Sequence, residues 1–282
     1  MTLYRRSAAL LAGRGLRRYP IVNRLNARIL KWVRPREALV LGHQMLLDRC
    51  DSLELGIRGV YEPLETRIAT ELVPSGGCVV DIGANIGYYT LLCARAAGPL
   101  GQVYAFEPEA ENFGLLRENV RRNGYHNVQL ENVAVSDATG RLSLFVCGEN
   151  RGDHRVYSPA ESSRSTVSVK AIRLDDYFAD DPPLIDLLKM DVQGAEGRAL
   201  EGMRSLLKFR PPRAILTEFW PQGLQQAGSS PAAVLSLLET NGYELSLLDE
   251  HSGDVSRTSA PELLRKFTAT NGHQTNLLAR HD

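Results

Sequence analysis

Apolar and polar positions along the chain switch repeatedly between two periods. Val79 to Ile82 is a β-branched run that breaks into Gly83-Ala84-Asn85-Ile86-Gly87, then resumes as a helix-compatible stretch, residues 87 to 97, closed by Gly98-Pro99. Gln102 to Phe106 is a second strand, ended by Glu107-Pro108, and a helix through Phe113, Leu116 and Val120 closes at Asn123-Gly124. Val128 to Val135 follows as a third strand, with Ser136-Asp137 at its end. Later come a buried strand from Leu184 to Met190, a loop Asp191-Val192-Gln193-Gly194, and a helix from Ala195 to about Phe209. Ala214 to Thr217, ended by Glu218, and Tyr243 to Leu248 are further strands, separated by a helix from Pro231; a last strand falls near Asn276 to Ala279. Strands joined by helical crossovers predict a doubly wound α/β fold with a mostly parallel sheet. Two strand-like runs, Arg141 to Cys147 and Thr166 to Leu174, interrupt the alternation as an inserted pair. The polar segment between them, Gly148 to Ser165, is long enough to be a lid or a ligand-contacting loop.

Before the first alternating unit the pattern differs. Pro20 can open a helix with Val22, Leu25, Ile29 and Trp32 on one face and Arg24, Arg28 and Lys31 on the other. It suits packing on its own domain, docking a partner or a second copy, or lying on an anionic membrane. Residues 1 to about 18 are Arg-rich with an Ala/Leu patch, which fits a basic arm or a targeting segment. Another helix runs from Pro63 to about Val73. The expected division is a basic helical extension over residues 1–60 and a catalytic domain over 61–282.

Charge sharpens that division. Lysine plus arginine equals aspartate plus glutamate, 33 each, so the chain lacks the excess that a nucleic-acid binder carries. Residues 1 to 36 nevertheless hold ten basic side chains and no acidic one. Cys50, Cys78, Cys93 and Cys147 form no C-x-x-C pair, which predicts a reducing, cytoplasmic setting without structural zinc. No apolar run approaches the roughly 20 residues that cross a bilayer.

In an open parallel sheet, ligands lie beyond the carboxyl ends of the strands. This chain places Asp81 with Gly83 to Gly87, Glu107, Ser136 with Asp137, Asp191 and Glu218 there. The glycine spacing G-x-x-x-G differs from the G-x-G-x-x-G of dinucleotide sites, and Asp81 would repel phosphate but welcome an ammonium group. A cofactor with an amino-acid end, S-adenosylmethionine, fits better. Its carboxylate suits the amides of the helix after Gly87, and its ribose hydroxyls suit Glu107, 24 positions after Gly83. Asp137 is placed for the adenine amino group, although Asp-Ala-Thr-Gly is also a plain turn; Asp191 is placed for the methyl or ammonium group. Asp191 and Glu218 are hard carboxylates at neighbouring strand ends, as a magnesium site needs, but Phe219 supplies no third and no metal is expected.

These stretches resemble the FkbM family of S-adenosylmethionine-dependent methyltransferases, which includes O-methyltransferases acting on natural products and sugars. The resemblance rests on Tyr61-Glu62-Pro63, Asp81 to Tyr89, Phe106-Glu107-Pro108, Asn132 to Asp137, Arg173 to Tyr177, and Lys189 to Glu196. It implies a Rossmann-like class I methyltransferase, a seven-stranded sheet flanked by helices. The implied cofactor contacts are Glu62, Asp81, Gly83, Ala84, Asn85, Gly87, Tyr88, Glu107, Ser136, Asp137 and Asp191. His43, Arg151, Asp153, Gln193 and Glu218 are the candidate contacts of a small hydroxyl-bearing acceptor. A hydroxyl must lose its proton on methylation, and His154, next to Asp153 in sequence, is the first candidate base, with His43 and Asp191 the other candidates. One departure stands out, because the family commonly has Asp-Val-Glu-Gly where this chain has Asp191-Val192-Gln193-Gly194. The rival readings are an N-methyltransferase on the same scaffold and a non-catalytic cofactor-binding partner protein.

Overall fold

The computed structural model describes residues 35–148, 150–158 and 164–281. The expected helix after Pro20, with any dimer contact through it, lies outside the described residues. The chain enters through a hairpin, β1 (Glu37–Val40) and β2 (His43–Leu46), and two helices, α1 (Leu55–Arg58) and α2 (Pro63–Glu71). Then follow β3 (Cys78–Ile82), α3 (Tyr88–Ala97), β4 (Gln102–Phe106), α4 (Ala110–Arg122) and β5 (Val128–Glu131). A smaller sheet is built from β6 (Ala134–Val135), β7 (Gly140–Val146) and β8 (Ser165–Ile172), followed by α5 (Leu174–Tyr177). The main fold resumes with β9 (Leu187–Met190), α6 (Glu196–Glu201), α7 (Arg204–Phe209), β10 (Ala214–Phe219), α8 (Pro221–Gln226) and α9 (Pro231–Thr240). It ends with β11 (Tyr243–Asp249), β12 (Asp254–Arg257), α10 (Ala260–Lys266) and β13 (Thr275–His281).

The main sheet runs β12-β11-β13-β10-β9-β3-β4-β5. β3 pairs in parallel with both β4 and β9, so the chain winds outward from β3 in one direction and later in the other. That reversal leaves a crevice at the carboxyl end of β3. Strand β13 is antiparallel to both of its neighbours, β10 and β11. β12 is an exposed arm added at the edge, beyond the seven strands expected.

Period-2 patterning explains why β3 is central. Val79 faces the apolar layer built by α2 to α4, whereas Val80 and Ile82 face the layer formed by α5 to α10. In the first layer α2 contributes Leu64 and Ile68, and Val40, Met45 and Leu55 of the entry segment join them. The hairpin is also held by polar contacts: Asn119 of α4 accepts the Leu46 N–H (2.6 Å) and donates to its carbonyl (3.0 Å).

Two elements differ from the periodicity reading. Val128 to Val135 is not one strand: after β5, the Asn132 amide donates to the carbonyls of Glu107 (2.8 Å) and Pro108 (3.2 Å), and the chain restarts as β6 in the smaller sheet. The helix from Ala195 to Phe209 is two helices. Gly202 passes so close to the Ser136 carbonyl that a Cβ would overlap it, and Asp175 then accepts the N–H groups of Ser205 and Leu206, both at 3.0 Å, as α7 begins.

Candidate active site

The loop leaving β3 is tied down on two sides. Gly83 and Ala84 donate backbone N–H groups to the Phe106 carbonyl (2.9 and 3.0 Å), and Asn85 donates its own to Glu107 Oε2 (2.9 Å). Gly83 has φ 80°, and a Cβ there would overlap the Asp191 carbonyl oxygen, so two strand ends meet only because this side chain is absent. Asp81 is buried and accepts from Thr90 Oγ1 at 2.5 Å. Burial pushes its carboxyl up to about 6, against the opposing pull of Thr90 and Lys189. Glu107 accepts a second backbone N–H, from Glu109 (2.9 Å); burial still raises it to about 7.

The facing wall comes from β9. Lys189 pairs in register with Asp81, and its Nζ lies 3.0 Å from Glu65 Oε1 and 5.0 Å from the Tyr89 ring centroid. Burial alone would favour the neutral amine, but Glu65, Asp191 and Glu62 outweigh it and raise Lys189 above its ordinary value. Asp191 Oδ1 accepts from Gln193 Nε2 at 2.7 Å, with Gln193 at φ 53°. Glu196 folds back so that its Oε1 accepts the N–H groups of Val192 and Gly194, both at 3.2 Å.

One cavity of about 880 Å³, counting its open mouth, collects ten of the candidate residues: Asp81, Gly83, Ala84, Asn85, Tyr88, Glu107, Arg151, His154, Asp191 and Gln193. Asn85 Oδ1 is buried with no hydrogen-bond partner among the described residues. Val133, Val135, Leu144 and Val156 give the cavity an apolar recess.

The other candidates lie elsewhere. Gly87 caps α3 against Leu116. Ser136 donates to Asp137 (2.8 Å), and Asp137 pairs with Arg198 (2.9 Å) on a separate hollow, which removes it from the cavity where an adenine contact was expected. His43 is buried 2.7 Å from the Tyr125 hydroxyl and pushed down to about 4, chiefly by burial and then by Arg95. It anchors the hairpin rather than facing the cavity. Asp153 pairs with Arg155 (2.7 Å) and Arg164 (2.5 Å), not with the neighbouring imidazole. Glu62 and Glu218 line a hollow next to the cavity.

His154 lines the cavity, but its Nδ1 accepts the Cys147 N–H at 3.1 Å. A neutral ring so bonded carries its hydrogen on Nε2, the atom left without a partner among the described residues. It presents a donor, not a base. Lys189, Glu65 and Tyr89 are not among the candidates drawn from the sequence, although a lysine in an otherwise apolar strand is a signal. Among the described residues, no group of three or more His, Cys, Asp and Glu is placed to hold a metal ion.

A parallel sheet wound both ways from β3, with a glycine loop and acids at successive strand ends, defines a Rossmann-like, S-adenosylmethionine-dependent methyltransferase. The chain belongs to the FkbM methyltransferase family: residues 81–245 match the family model described as the methyltransferase FkbM domain. It is similar to the 2-O-methyltransferase NoeI of Sinorhizobium fredii, 30% identical over 176 residues, covering 57% of this chain and 70% of that protein. It is 28% identical over 204 residues to the methyltransferase sdnD of Sordaria araneosa (61% and 76% covered). Over 209 residues it is 28% identical to the 31-O-demethyl-FK506 methyltransferase FkbM of Streptomyces tacrolimicus (63% and 73% covered).

Proposed function

We propose that the chain methylates a hydroxyl oxygen of a small natural product or sugar. The observation that carries this reading is the cavity joining Asp81, Asn85, Glu107 and Asp191 at the crevice beside β3. S-adenosylmethionine fits its chemistry. Asp81 suits the ammonium, Glu107 the ribose hydroxyls, and the recess of Val133, Leu144 and Val156 the adenine that Asp137 does not reach. The unpartnered Asn85 Oδ1 offers a further acceptor. When bound, the cofactor supplies an electrophilic methyl group on a sulfonium.

The protein's own part is to orient the acceptor and receive its proton. Asp191 suits the second of these roles, because Gln193 holds Oδ1 and leaves Oδ2 to accept. His154, with its hydrogen on Nε2, suits holding a ligand oxygen. Two of the relatives carry O-methylation in their names, which supports oxygen as the atom methylated. Labelled S-adenosylmethionine, incubated with a set of sugars and hydroxylated natural products, tests the reading. The label should appear as an O-methyl resonance in the product's carbon spectrum; an N-methyl resonance would overturn it.

A further inference from the structure

A second hollow opens at the same edge of the sheet, where β10 and β11 end and β13 begins. The antiparallel register sets Asn276 opposite both Glu218 and Leu248, bringing amide side chains against strand-end carboxyl groups. Glu218 is 9% exposed; its Oε1 accepts from Gln274 Nε2 at 2.7 Å, and its Oε2 has no partner among the described residues. Glu62 Oε1 accepts from Asn276 Nδ2 at 3.2 Å, while its Oε2 accepts from the Tyr89 hydroxyl at 3.2 Å. Tyr89 lines the cofactor cavity and Glu62 lines the hollow, so the bond between them joins the walls of the two spaces.

A buried carboxyl oxygen without a partner is costly, and a ligand that answers it recovers that cost. Gln274 and Asn276 each commit an amide donor to a carboxyl group, leaving their carbonyl oxygens to accept. Such pairs match groups that both donate and accept, as hydroxyls do. Glu62, Glu218, Asp249 and Glu250 line the hollow with Lys266 and His251 as its basic residues, so acid groups are in the majority and disfavour a ligand carboxylate.

We propose that this hollow is the acceptor subsite and takes a neutral, hydroxyl-rich ligand, a sugar without a carboxylate. The proposal rests on the methyl-transfer reading above. It is tested by saturation-transfer NMR on the full chain saturated with S-adenosylhomocysteine. The probes are methyl glucoside, methyl rhamnoside, methyl glucuronide and methyl glucosaminide. At least one neutral glycoside should bind, and Glu218→Ala and Gln274→Ala should each weaken it at least tenfold while retaining S-adenosylhomocysteine affinity. No neutral binding, a preference for the uronide or the amino sugar, or binding indifferent to both substitutions would overturn it. Failure of the unmodified chain to bind S-adenosylhomocysteine is a separate result, which would remove the cofactor reading and this proposal with it.

Discussion

The Lys189 ammonium lies 3.0 Å from the Glu65 carboxylate, with 3% and 0% of the two side chains exposed. Removing Glu65 takes the direct ion partner from a buried ammonium, so Glu65→Leu should cost about 3–5 kcal/mol in urea unfolding. Glu65→Leu with Lys189→Met should recover part of that loss. A double variant no more stable than the single one would show that the pair is not what the single change disrupts.

Gln193→Glu replaces an amide donor to Asp191 with a second acid. Two carboxyl groups so close hold a shared proton more tightly, and the acid limb of the kcat/KM profile should move up by about one pH unit or more. An unmoved profile would exclude Asp191 as the group that receives the proton.

Burial raises Asp81 to about 6 and Glu107 to about 7. Raised acids bind more protons folded than unfolded, so their contribution to stability is present at low pH and is lost as pH rises from about 4 to about 7. Cofactor binding should run the other way. An ammonium at Asp81 and hydroxyl donors at Glu107 favour the ionised acids, so S-adenosylhomocysteine should bind more tightly at pH 8 than at pH 5.5, releasing protons at neutral pH. Calorimetry in buffers of different ionisation enthalpy measures both.

Gly83→Ala should cost about 1–3 kcal/mol and abolish measurable cofactor binding, because the new methyl meets the Asp191 backbone. Gly114→Ala, in α4 with nothing within 4 Å, should instead stabilise by about 0.4–1 kcal/mol. Thermal melts of the two variants provide the contrast.

His154→Ala should weaken S-adenosylhomocysteine binding severalfold and leave the shape of the pH–rate profile intact, since Nε2 carries the hydrogen. Loss of the acid limb, or its relocation, would restore the imidazole as a proton acceptor.

The strand ends were legible because loops after parallel strands concentrate small and acidic residues, and Asp81, Glu107 and Asp191 all reach one cavity. Side-chain pairing across the fold was not legible. Asp153 neighbours His154 in sequence yet turns to Arg155 and Arg164, and Asp137 turns to Arg198. His43 resembled a site residue until Tyr125, 82 positions away, accounted for it. The break after β5 depended on Asn132 reaching the carbonyls beyond β4, a contact no local period records.

Strand β13 lies between β10 and β11, although both precede it in the chain. Until residues 275–281 emerge during synthesis, the ladder edges of β10 and β11 that they will cover have no partner. The two strands are joined only through β13, so these edges stay open to pairing with a strand of another copy for as long as β13 is missing.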